Sequence, residues 1–343
     1  MRKLLNTLYV MTEDAWLSLD GENVVIQAGT RELGRFPLHG LEEIVSFSYR
    51  GASPALMGAC AERGIGLSFF RPGGQFLARV SGGVRGNVLL RKKQYRVSED
   101  AAASLAVGKS MLIGKIYNAR WVLERFTRDH ALTVDVHRLK AASTMLKDSL
   151  PRIESAQDAD RLRGIEGDAA AEYFSVFNEL ILNGDEAFAF HGRSRRPPLD
   201  CVNAMLSFAY ALLANTCADA LESVGLDPYV GFVHTDRPGR ESLALDLMEE
   251  LRPAFADRFV LSCINNRVVN PEMFEKTDSG AVLMNEAGRR AFLKAWQERK
   301  KEVLTHPFLK EKMPWGLVPF VQALLLARFL REDLDAYPPL LWK

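Results

Sequence analysis

At 343 residues the chain is long for a single compact core, and two domains are the better expectation. Hydrophobic residues make up 48% and charged residues 25%, as in an ordinary soluble globular protein. The formal net charge is only +1, which excludes binding of nucleic acid through overall basicity; any such surface must come from local clustering.

In chain order, the first ninety or so residues read as β-rich. Short apolar or alternating runs fall at Leu8–Met11, Ala15–Leu19, Val24–Ala28, Leu33–Leu38 and Ile44–Phe47. Asp20-Gly21 offers a tight turn between two of them. One helix interrupts: Ser53 is an N-cap, Pro54 suits the first helical position, and Gly64 stops it. Ile65–Phe70 and Gln75–Val80 then flank Arg71-Pro72-Gly73-Gly74, a hairpin signal. The basic stretch Arg91–Arg96 is a linker or the lead into a helix. Beyond it the pattern predicts helices over 98–128, 135–149, 158–182, 199–224, 242–256, 286–303 and near 316–332. Phe259–Ile264 and Ala281–Met284 read as strands. The expected fold class is α+β: a small β-rich domain over 1–95, then a larger, mainly α-helical catalytic domain over 96–343.

Cys60, Cys201, Cys217 and Cys263 are scattered and suggest neither a zinc site nor a disulfide framework, which fits a reducing cytoplasm. The start of the chain lacks the apolar stretch of a signal peptide. The longest apolar run, Trp315–Leu326, is interrupted by Pro319 and Gln322 and is too short to span a bilayer, so no membrane partner is expected. The last residues, Asp335–Lys343, contain Pro338-Pro339 and must be extended. Their apolar side chains dock on the body of the protein or on a partner.

Three residues carry the most chemistry. Glu166 shares a helical face with Ala170, Tyr173 and Phe177, so its carboxylate points to the apolar side and needs a partner. A divalent metal satisfies that need, and so does a structural arginine such as Arg163 or Arg252. His234 lies in a loop, Val233–Arg240, that leads into a helix bearing Asp246, Glu249 and Glu250. On that helix Leu243, Leu247, Met248, Leu251 and Phe255 form the apolar stripe, and the acids share another sector. A solvated acidic face gives the same pattern. One imidazole and two carboxylates, Glu166, His234 and Glu249, are ligands of the sort that hold Mg²⁺ or Mn²⁺. Arg193, Arg195 and Arg196 precede the helix predicted over 199–224, where guanidinium charge and free N–H groups make an anion site. With Arg252 they are the expected DNA contacts.

Four strings, in order, carry a resemblance. They are Leu162-Arg163-Gly164-Ile165-Glu166-Gly167 with Tyr173-Phe174 downstream, Arg195–Tyr210, Gly231-Phe232-Val233-His234, and Ser242–Pro253. Together they resemble the CRISPR-associated integrase family, the first-numbered Cas protein. The resemblance implies a metal-dependent DNA endonuclease and integrase acting on double-stranded and branched DNA. It implies Glu166, His234 and Glu249 as ligands of Mg²⁺ or Mn²⁺, with Asp246 in the same site as a further acid. It also implies a homodimer joined through the β-domains, two of which are bridged by a small ferredoxin-like companion Cas protein. The expected reaction is attack by a 3′-hydroxyl on a repeat phosphodiester; no GxxxxGK[ST] loop is present, consistent with transesterification without ATP. A stand-alone metal nuclease and a non-enzymatic DNA-binding protein remain the rival readings.

Overall fold

The computed structural model describes residues 5–83 and 87–343. Its first part is built of seven strands: β1 (Thr7–Val10), β2 (Trp16–Asp20), β3 (Asn23–Ala28), β4 (Arg31–Pro37), β5 (Glu43–Ser46), β6 (Gly66–Phe70) and β7 (Phe76–Val80). One helix, α1 (Pro54–Arg63), lies between β5 and β6, and its signals act as expected. Ser53 Oγ accepts the Leu56 N–H at 3.2 Å, Pro54 opens the helix, and Gly64 closes it in the left-handed region at φ 68°. β2, β3 and β4 form an antiparallel meander, whereas β1, β5, β6 and β7 form a mixed sheet in the order β1-β5-β6-β7. Within it β1, β5 and β6 are parallel, and the Arg71–Gly74 hairpin returns β7 antiparallel.

In the mixed sheet β5 and β6 are largely buried, and their side chains alternate between two cores. Ile44 and Leu67 turn toward Leu17, Val24, Ile26, Leu56 and Cys60 in a small core of the β-rich part. Val45, Phe47 and Phe70 turn the other way into the main core, where the Phe47 ring stacks on Phe208, centroids 5.8 Å apart.

Nine further α-helices follow among the described residues: α2 (Val88–Glu99), α3 (Ala101–Asp129), α4 (Val136–Glu154), α5 (Ala159–Ser175), α6 (Cys201–Ser223), α7 (Ser242–Glu249), α8 (Arg258–Asn265), α9 (Glu286–Lys301) and α10 (Val318–Leu330). Two small hairpins, β8–β9 (Phe274–Lys276, Val282–Met284) and β10–β11 (Val303–Thr305, Lys312–Pro314), decorate them. α3 packs on α4, α5 and α7, while α6 packs on α7 and α10. α6 has the length and apolarity to cross a membrane, but most of it is buried as the central core helix.

Several boundaries differ from those the sequence predicts. The helix expected over 98–128 is α3 and starts at Ala101, because Asp100 caps it by accepting from Ala102 and Ala103 N–H. The basic stretch 91–96 lies inside α2, and Gln94 in it donates to the Asp227 and Val230 carbonyls of the helical part. The change of character therefore falls after β7, and residues 95/96 lie within a helix. The helix expected to residue 182 ends at Ser175. That expected over 242–256 ends at Glu249; Pro253 cannot supply the N–H that would continue it, and Arg252–Asp257 forms a wider π-type turn. Phe259–Ile264 lies in α8 and is not a strand; Ser262 is its exposed residue, and so short an apolar run does not by itself separate a strand from a helix.

Candidate active site

α7 is packed on every side. Asp246 and Glu250 are fully buried and Glu249 is 3% exposed. The solvated acidic face that the sequence allows is absent, and each acid has a separate occupation.

Asp246 holds the loop that carries His234. Its Oδ2 accepts the Phe232 and Val233 N–H groups at 2.6 and 2.9 Å. Its Oδ1 accepts the His234 N–H at 3.0 Å and lies 2.5 Å from His234 Nδ1. Gly231 permits this wrap, since a Cβ there would meet Asp246 Oδ2 at 2.7 Å and Ser242 Cβ at 2.9 Å. Asp246 was expected as a further acid of the metal set. With both oxygens occupied it instead orients the imidazole, leaving Nε2 directed at Glu249, 3.9 Å from its Oε1. Glu250 faces the opposite way. It accepts the Leu340 N–H at 2.6 Å and the Gln322 amide at 2.9 Å, and takes the Tyr337 hydroxyl proton donor as well. The C-terminal segment is thereby docked on its own domain.

Glu249 and Glu166 are brought together by a residue that sequence reasoning missed. Lys115 of α3 donates to Glu166 Oε1, and its Nζ lies 2.6 Å from Glu249 Oε2. Arg252 Nη1 holds the other oxygen of Glu249 at 3.1 Å. Burial alone would raise the Glu249 carboxyl, but Arg252, Lys115 and His234 outweigh it and hold it at about 2. Neither arginine considered for Glu166 pairs with it: Arg163 binds Asp160 and the Val233 carbonyl, and Arg252 binds Glu249. The signal for Lys115 was present. It sits beside Met111, Leu112, Ile116 and Ala119 on the buried face of α3, where a lone ammonium needs an acid.

Among the described residues, no three His, Cys, Asp or Glu side chains stand ready as a group to hold a metal ion. The donor chemistry nevertheless suits a hard cation. Two carboxylates from separate helices meet at Lys115, the His234 Nδ1 is tied to Asp246, and Glu249 Oε2 is buried without a hydrogen-bond donor, since Lys115 approaches it off the bonding direction.

The arginines divide into two kinds. Arg193 is turned inward: it donates to the Ser194 carbonyl and Asn203 Oδ1, and its guanidinium lies over the Tyr210 ring. Arg252 covers the same ring, 4.9 Å from its centroid, so its charge is spent within the fold. Arg195 and Arg196 are exposed. Arg195 lines a cleft with Lys115, Glu166, Tyr173 and Phe174. The start of α6 itself is capped by Asp200, which accepts the Asn203 N–H at 2.7 Å. Beneath the cleft Tyr210 donates to Asp257 Oδ1 at 2.5 Å, and burial raises that carboxyl to about 6 against the pull of Tyr210, Arg252 and Arg193.

Residues 8–298 match the family described as CRISPR associated protein Cas1. The chain is 52% identical to the CRISPR-associated endonuclease Cas1 2 of Rhodospirillum rubrum and 47% identical to the CRISPR-associated endonuclease Cas1 1 of Chlorobaculum tepidum, each covering 100% of both chains. It shares its fold with a casposase solved bound to an integration product, at a TM-score of 0.84 and 21% identity over 98% of this chain and 94% of that one. With its β-then-α layout, the chain belongs to the Cas1 family.

Proposed function

We propose that this protein is a metal-dependent DNA endonuclease and integrase that inserts DNA into a CRISPR array. One observation supports the reading: Lys115 lies against both Glu166 from α5 and Glu249 from α7, and His234 Nε2 stands 3.9 Å from Glu249, with Asp246 fixing the imidazole. The names of the relatives, endonucleases of the same family at matching length, support it. Glu166, Glu249 and His234 Nε2 would hold Mg²⁺ or Mn²⁺. When bound, such an ion supplies Lewis acidity toward a phosphoryl oxygen and its attacking and leaving oxygens.

The chain's own residues do the rest. Asp246 keeps His234 in one orientation, and Arg252 keeps Glu249 ionised inside the core. Arg195, exposed at the cleft, and its exposed neighbour Arg196 hold backbone phosphates. A 3′-hydroxyl of the captured DNA attacks a phosphodiester of the repeat. The new phosphorus–oxygen bond forms as the old one breaks, the attacking hydroxyl loses its proton to solvent, and the departing 3′-oxygen takes one up. The protein acts on double-stranded and branched DNA as a homodimer joined through the β-rich parts, with a small companion Cas protein bridging two dimers.

Incubation with branched DNA that mimics an integration intermediate, with and without Mn²⁺, tests this. Rejoined strands that require Mn²⁺ are the expected result. Cutting without rejoining would favour a stand-alone nuclease, and a mobility shift without any chemistry would favour a binding protein.

A further inference from the structure

We propose that Lys115 is a displaceable counter-cation of this site, one that makes metal loading and DNA binding depend on each other. The inference rests on the metal-site reading above.

Its ground is geometric. Lys115 comes from α3, Glu166 from α5 and Glu249 from α7, and the ammonium touches a carboxylate oxygen of each. A hard divalent ion held by both acids must take the place of that ammonium between them. Glu249 carries a second cation, Arg252, but that guanidinium is pinned on the Tyr210 ring and held at the other carboxylate oxygen. Lysine is the movable one: a compact charge on a flexible four-carbon stem.

Displacement has a cost that depends on where the ammonium goes. The Lys115 side chain is only 14% exposed, so leaving both acids means carrying a charge through a partly desolvated space. The cleft it faces is also lined by Arg193 and Arg195, and its other carboxylate, Asp257, is occupied by the Tyr210 hydroxyl. A phosphodiester seated there changes the balance, because it gives the displaced ammonium an anion within reach. Metal without DNA therefore binds against Lys115, and metal with DNA binds alongside it. Because linkage is reciprocal, the metal tightens DNA to the same degree.

The experiment is a Mn²⁺ titration of the full chain followed by the electron paramagnetic resonance of the free ion. Wild type, Lys115→Met and Glu166→Ala are compared, each alone and with branched DNA ending in 3′-deoxynucleotides, after subtraction of a DNA-only titration. Lys115→Met is expected to bind Mn²⁺ about tenfold more tightly than wild type in the absence of DNA. DNA should then tighten Mn²⁺ binding to wild type but not to the variant. In melting, Mn²⁺ should raise the Tm of Lys115→Met more than that of wild type. Should that variant fail to fold, Lys115→Gln is titrated in its place with the same expectation. Equal Mn²⁺ affinity of wild type and lysine variants, with binding lost in Glu166→Ala, overturns the role of Lys115 and leaves the metal site standing. Wild-type Mn²⁺ affinity in Glu166→Ala overturns the metal site, and the role of Lys115 with it.

Discussion

Asp246 and Glu249 lie one helical turn apart on α7, yet one is saturated by hydrogen bonds and the other is balanced by cations. Replacing Asp246 with Asn tests the first role. The amide nitrogen that replaces one carboxylate oxygen cannot accept the N–H groups that Asp246 accepts there, so the loop and the imidazole lose their fixed orientation. Mn²⁺-dependent strand transfer should fall about 10- to 100-fold, as for other partners that orient a ligating histidine; wild-type rates in a strand-transfer assay would contradict this. Asp257 makes a pH prediction. Its folded value of about 6 lies above the ordinary 3.8, so the folded protein holds its proton more tightly than the unfolded chain does. The stability it contributes is complete below the unfolded value and is lost as pH rises toward 6. Between pH 4.5 and 6.5 wild type should lose about 2 kcal/mol relative to Asp257→Asn, read from urea unfolding at each pH. Parallel pH profiles for the two proteins would refute the assignment. At this scale Glu166, His234 and Glu249 stood out in sequence because they sit in distinctive strings. Lys115 was marked only by its place on an apolar helical face, because its two acids lie far along the chain.

α7 shows how one sequence pattern can leave two placements open. Its period of apolar residues is real, but the acids opposite face α3, a loop and the C-terminal segment, not solvent. Gly114 of α3 allows that approach: a Cβ there would meet Glu250 Cβ at 2.9 Å and Pro339 Cβ at 3.1 Å. The C-terminal segment is locked in from both sides. Asn118 donates to the Glu250 and Leu340 carbonyls at 2.7 and 2.8 Å and accepts the Trp342 N–H at 2.8 Å, and Leu340 and Trp342 are buried. Removing residues 338–343 exposes that core and strips Glu250 of a donor. The isolated chain should lose on the order of 4 kcal/mol in urea unfolding. A segment that serves only a partner would leave the unfolding midpoint unchanged. Extended structure was readable from Pro338-Pro339, but the docking surface was not, since the groups that receive it lie about 90 and 220 residues upstream.

The β-rich and helical parts of the whole molecule are tied by one buried guanidinium. Arg79 of β7 lies 2.8 Å from Glu222 and from Glu241 and 3.3 Å from Asp219. Glu222 and Asp219 belong to α6, and Glu241 joins the His234 loop to α7. Arg79→Met leaves three acids together without their cation and should cost about 3–5 kcal/mol in stability, measured by urea unfolding; an unchanged midpoint would show that the strap carries nothing. The order of the two parts followed from period-two runs giving way to period-3.6 runs, whereas their junction depends on pairs far apart in sequence and left no local trace. The site forms inside the helical part, and the central claim is that Glu166, His234 and Glu249 act as one centre. Strand transfer with Mn²⁺, measured beside DNA binding for the Ala variant at each position, tests that most directly. The account predicts that each single change abolishes strand transfer and leaves DNA binding largely intact, with double variants no worse than single ones. Full Mn²⁺-dependent strand transfer by His234→Ala would contradict it.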